Sequence, residues 1–330
     1  MAAMIRRRAS LLAAAAVLVT GPLTGCGLFG GDDAAPATTA PAPTTTTTEA
    51  PTAATEPPEL LDPGAEPRQP LRVAYAEGDE AVVSFTSDLQ ISQDSPGRTQ
   101  RIDSPPIAQT LRYEVGAVDD DGAELTIRIE AIGAKGKGTG LSDEQLADLD
   151  DELAPLVGLE ATATATPLGE LEDLAFDAPE DLSASLTAQL DALAQQLPAL
   201  GPALPTEPVG VGASWRSTST SRVAGAEVET VSTVTVTAIA DGTVAYRTTI
   251  ASTAAPQDLQ LAGLADGTTA RLTASDVTGS GTGSMGLDHV ALTLRTRSSG
   301  TQAITLEAGG RRTDLSQTVE IAYVAATEPS

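Results

Sequence analysis

The chain has 330 residues, 45 acidic against 19 basic, and a formal net charge of −26. That balance argues against DNA, RNA or anionic lipid headgroups as broad-surface partners and suits solubility in a salty exterior. One cysteine leaves no internal disulfide, one histidine and one cysteine are too few for a Cys/His zinc site, and aromatics at 2% leave the core to Val, Leu, Ile and Ala.

At the N-terminus, Arg6, Arg7 and Arg8 precede an apolar run from Leu11 to Val19, the layout of an export signal. The run is too short to span a bilayer, which takes about 20 apolar residues, and Gly21-Pro22 breaks it. Leu23-Thr24-Gly25-Cys26 follows and holds the single cysteine. This tetrad resembles the lipobox of bacterial lipoproteins. The resemblance implies that residues 1–25 are a signal peptide and that Cys26 becomes the first mature residue. It further implies a diacylglyceryl group on the Cys26 thiol, holding the protein to the extracytoplasmic face of the cell membrane. Two acyl chains anchor stably where one is marginal. Losing the three arginines takes the net charge from −26 to −29. Arg7-Arg8-Ala9-Ser10-Leu11 loosely resembles a twin-arginine signal but lacks its aromatic, so both export routes stay open. The Ala and Thr bias resembles that of high-GC, actinobacterial coding sequences.

Residues 26–70 show no apolar periodicity, and Pro41 to Pro51 is a Pro/Thr tract. Such a segment cannot bury enough apolar surface to fold, so it is expected to be a disordered linker from Cys26. Extended at about 3.1 Å per residue, it would lift a domain far off the membrane. Its clustered threonines resemble O-glycosylation sites.

A single β-rich domain is expected over 71–326. Val82-Val83-Ser84-Phe85 and Leu89-Gln90-Ile91 read as strand. Leu111 to Val115 and Leu125 to Ile129 alternate around Asp119-Asp120-Asp121-Gly122, a hairpin. Ser142 caps a helix near 142–157 with leucines at 146, 149, 153 and 156, and Gly158 ends it. A second helix near 180–197 carries Leu182, Leu186, Leu190, Leu193 and Leu197 on one stripe, stopped by Pro198. From Gly212 the chain alternates Val, Leu and Ile with Thr, Arg and Glu, as an antiparallel sheet with one solvated face does. Gly78, Val115 to Gly122 and Thr162 to Gly169 parallel Gly212, Val236 to Gly242 and Thr278 to Gly286, a faint internal repeat.

Chemistry-bearing constellations are weak. Ser284, Asp288 and His289 lie close in sequence, but no Gly-x-Ser-x-Gly elbow is present, and His289 falls on the polar side of a strand expected over Val290, Leu292 and Leu294. Gly133 to Gly140 is glycine-rich and basic yet misses phosphate-loop spacing, and reads as a mobile rim loop. Asp119 to Asp121 and Asp150-Asp151-Glu152 lack a calcium-loop ladder. Pro208-Val209-Gly210-Val211-Gly212-Ala213-Ser214-Trp215 resembles a Pro-x-Gly-x-Gly-x-x-Trp turn in an uncharacterised surface lipoprotein family, which brings no activity with it.

The expected fold class is α+β: a strongly curved antiparallel sheet, an open or half barrel, with two short amphipathic helices on its concave face and an internal duplication. The layout is loosely similar to mycobacterial-type lipid-carrier lipoproteins. Two functions stay open. One is a carrier of a hydrophobic acyl-chain ligand, its cavity lined by Leu182, Leu186, Leu190, Leu193, Leu197 and Trp215. The other is an envelope interaction or structural protein with a filled core. No catalytic residue, metal or cofactor is expected, nor is enzyme activity.

Overall fold

The structure, a computed structural model, describes residues 54–55, 57–95, 98–136, 141–223, 225–260, 264 and 267–328. The export signal, Cys26, the Pro/Thr tract and residues 137–140 of the glycine-rich loop lie outside them.

Among the described residues, fifteen strands form one antiparallel sheet. They are β1 (Ala54–Thr55), β2 (Glu59–Asp62), β3 (Glu80–Ser95), β4 (Arg98–Asp103), β5 (Ile107–Val118), β6 (Ala123–Ala134), β7 (Glu160–Ala165) and β8 (Leu171–Phe176), then β9 (Ser214–Val223), β10 (Ala226–Ala240), β11 (Thr243–Ala254), β12 (Gln257–Leu259), β13 (Thr268–Gly286), β14 (Leu292–Ala308) and β15 (Arg311–Thr327). Two helices, α1 (Asp143–Leu153) and α2 (Ala184–Gln196), interrupt them.

The sheet order is β1-β9-β10-β11-β13-β14-β15-β3-β5-β6-β7-β8. It is two meanders laid side by side. Strands β3 to β8 make the first and β9 to β15 the second, and the last strand of the second pairs with the first strand of the first, Ala325 opposite Phe85. The outermost strands do not pair with each other, so the sheet is not closed.

Alternation sets one inner face. Val83 and Phe85 on β3, Leu111 and Tyr113 on β5 and Ile127 and Ile129 on β6 are all buried on it, while Arg112 and Arg128 point the other way and hold Glu80, Glu130 and Glu160. The hairpin turns follow the expected chemistry. Asp119 accepts from the backbone N–H groups of Asp121 and Gly122 at 2.9 and 3.0 Å. Asp241 and Gly242 both take positive φ, 49° and 67°, the twist that a two-residue hairpin needs.

The faint repeat has a geometric counterpart. Gly78 N–H donates to Val115 O at 2.8 Å and Val115 N–H to Asp79 O at 2.9 Å. In the second meander Gly212 N–H donates to Val236 O at 3.0 Å and Val236 N–H to Ala213 O at 2.9 Å. Both hairpins slip register at that point, after Val115 and after Val236.

Ser142 and Gln145 form a capping box at α1, each side chain accepting from the other's backbone N–H. Asp150 then ties the helix to β6 by accepting from Ala134 N–H at 2.7 Å. Helix α2 opens at Ser183, later than the expected 180, because the backbone turns between Pro179 and Leu182 first. It ends at Gln196, where the chain tightens into a 3-10 turn, Leu197–Leu200, with Pro198 in its first turn.

One boundary differs from expectation. The linker was expected to run to Pro70, yet Glu59–Asp62 is already in the sheet, with Leu60 opposite Trp215 and Glu59 paired to Arg216. Prolines at 57, 58 and 63 hide this strand, since an outer strand tolerates flanking prolines that a central one would not.

Candidate functional site

Of the six residues expected to line a ligand cavity, five leucines share one apolar cluster and Trp215 does not join them. Leu186, Leu190, Leu193 and Leu197 are buried in one apolar cluster with Leu111, Ile127 and Ile129. Leu182 precedes the helix and is only half-buried against the same cluster. Trp215 belongs to a second cluster, with Leu71, Leu204, Val234 and Met285, and its indole N–H donates to Ala203 O at 2.9 Å. There it plugs one end of the sheet. Tyr75 touches both clusters, and its burial pushes the phenol up to about 12.

The helix-leucine cluster takes in Leu294 and Ala325, at one end of β14 and β15, and holds no buried residue from the middle of the second meander's strands. The positions there turn small and polar: Thr248 and Ser252 on β11, Ser275 on β13, Thr296 and Gln302 on β14, all buried. Three glycines of β13 alternate on the same face, and neighbours lean over them. A methyl at Gly283 would meet Cζ of Tyr246 at 2.6 Å, and one at Gly281 would meet Cγ2 of Thr296 at 2.5 Å. The space is taken, which is a reason for glycine at these positions. Desolvation pushes the Tyr246 and Tyr323 phenols up to about 12. At the seam between the meanders Tyr323 stacks on Phe85 at 5.7 Å and stands opposite Ser87, and Ser87 Oγ and Tyr323 OH find no protein partner.

An open groove lies on the outer face instead. A groove of about 920 Å³ runs across β10, β11, β13, β14 and β15. Pairing sets its floor. Arg247 lies opposite Thr282, Thr282 opposite Arg295, and Arg295 opposite Val324, while Arg297 lies between Ser280 and Ala322. Arg68, Arg112, Arg128, Arg216, Arg271 and Arg312 each hold a carboxylate. Among the described residues Arg247, Arg295 and Arg297 hold none, although Glu320 and Asp88 stand on nearby strands. Sequence alone does not single out these arginines. Arg295 and Arg297 alternate visibly around Thr296, but only strand pairing brings Arg247 to them.

The Ser284, Asp288 and His289 set does not assemble. Strand β14 starts at Leu292, not Val290, because His289 lies in an exposed bend, where it meets the Asp288 carboxylate. Ser284 instead bonds Thr293 Oγ1 at 2.8 Å. At Gly133 to Gly136, the described part of the basic loop, the chain packs under α1 near Asp150 and Leu146.

No family model and no curated protein matches the chain. Among solved structures it is similar to the outer membrane protein OprG from Pseudomonas aeruginosa, at 8% identity and a TM-score of 0.23, covering 77% of this chain and 99% of that one. OmpT, an outer membrane protein of Vibrio cholerae, gives 8% identity, a TM-score of 0.18, and coverage of 74% and 99%. Likeness at these scores carries no conclusion about this chain.

Proposed function

We propose that this is a lipid-anchored envelope protein, held to the extracytoplasmic face of the cell membrane through diacylglyceryl-Cys26, whose folded body is a filled scaffold that engages a partner and carries no acyl chain. The observation that supports this choice is the separation of the expected lining. The leucine stripe and Trp215 close two different apolar clusters, and Tyr246 occupies the space beside Gly283. A carrier needs those side chains around one void. In this reading the sheet curls about its inner face as a half barrel, with both helices in the concavity. That is how Ser252 and Gln302 become buried without a helix over them. The matched turn bonds at Gly78 and Gly212 support an internal duplication.

Native mass spectrometry of the full-length protein tests the choice. The expected spectrum holds the covalently lipidated chain alone; a second, non-covalent acyl mass released by gentle activation would restore the carrier. The anchor is tested separately. Cys26→Ser should move the protein from the detergent to the aqueous phase on partitioning, and retention in detergent would refute lipidation.

A further inference from the structure

The outer groove gives the proposed scaffold a ligand class. We infer that the groove over β11, β13, β14 and β15 binds a flexible, base-free phosphodiester chain through Arg247, Arg295 and Arg297. This deepens the interaction-protein reading and rests on it.

Three observations select the chemistry. First, the guanidiniums are exposed and hold no carboxylate in a chain of net charge −26, where Arg112, Arg128 and Arg271 are each paired to one. Guanidinium forks fit phosphate oxygens in pairs of parallel hydrogen bonds. Second, spacing suits a chain of charges. Arg295 and Arg297 lie two residues apart on β14, about 7 Å, and Arg247 lies two strands from Arg295, about 10 Å. Thr282 and Ser280 stand between them as further donors, and Val324, 42% exposed, offers an apolar strip to carbon linkers between charges. Third, other anionic polymers fit poorly. Strands β11, β13, β14 and β15 are paired on both sides, so an acidic peptide finds no edge to extend. The groove has no aromatic side chain, so nucleic-acid bases find no stacking platform.

The test is calorimetric titration of the full-length protein with a synthetic poly(glycerol phosphate) oligomer, beside glycerol 3-phosphate, oligothymidylate and polyglutamate. The oligomer is expected to bind, more weakly as salt rises, and more tightly than the other three. Arg295→Gln/Arg297→Gln should weaken it roughly tenfold or more. Arg247→Gln, on a different strand, should weaken it as well. Arg311→Gln removes the same charge from the remote β14–β15 hairpin end and should leave binding unchanged. Parent-like thermal melting of each variant shows that folding is not the cause. Absence of oligomer binding, an equal loss in Arg311→Gln, or equal binding of oligothymidylate or polyglutamate overturns the inference. A co-purifying acyl ligand would refute the filled scaffold without changing these titrations.

Discussion

The two meanders solve the same problem differently. Each has an inner face that must be kept from water. The first, β3 to β8, carries large apolar side chains there and covers them with helix leucines, Leu149 and Leu153 from α1 and Leu186, Leu190 and Leu193 from α2. The second, β9 to β15, has no helix of its own among the described residues. It keeps apolar side chains toward its two ends, around Trp215 and around Leu272 and Ile304, and places serines, threonines and glycines between them. Small residues there let cross-strand neighbours lean over the sheet, as Tyr246 does at Gly283 and Thr296 at Gly281. The contrast teaches that the same alternating pattern is stabilised by added cover where side chains are large, and by close approach where they are small.

The strongest way to break the contrast is in the first meander. Leu190→Ala removes buried methyls from the helix–sheet cluster and should cost about 2–5 kcal/mol by thermal or urea unfolding. A variant that melts like the parent would mean that α2 is not docked.

Alkaline titration probes both halves. Burial holds the Tyr246 phenol neutral up to about 12 in the fold, and it pushes Tyr113, in the first meander, up as well. The unfolded chain releases these protons near pH 10. The phenol contribution to stability should therefore be constant below about pH 10 and fall between 10 and 12, by about 2–3 kcal/mol for Tyr246 alone. Tyr246→Phe should flatten part of that fall in urea midpoints followed upward from neutral pH. An unchanged slope would place the phenol in water.

In the second meander, Gly283→Ala puts a methyl 2.7 Å from Thr293 O as well as against the Tyr246 ring. It should cost about 1–3 kcal/mol. A neutral result would reveal free space on the inner face and reopen the carrier. The smallest effect is expected at the α1 cap. Ser142→Ala removes the acceptor for Gln145 N–H and should cost about 1 kcal/mol. Hydrogen exchange should rise in α1 and not in β9 to β15, and a loss of protection spread over both meanders would mean that the two halves open together.

Much of this was legible in the residues. The hairpin at Asp119 to Gly122, the Ser142 cap and the second helix's stripe all follow from contacts within a few positions of the chain, where spacing and turn chemistry act directly. The strand at Glu59 was hidden because its partner, at Trp215, lies far along the chain. The candidate groove was hidden for the same reason.

Sequence by itself therefore determined what local chemistry can determine: which segments alternate, where turns and caps fall, the charge, and the expectation of a lipidated Cys26. Tertiary structure alone decided that Trp215 and the leucine stripe close separate clusters, and that three arginines from β11 and β14 share one groove in an acidic protein. Side-chain alternation states that a residue has a face, but only pairing between distant strands states which other residues share it.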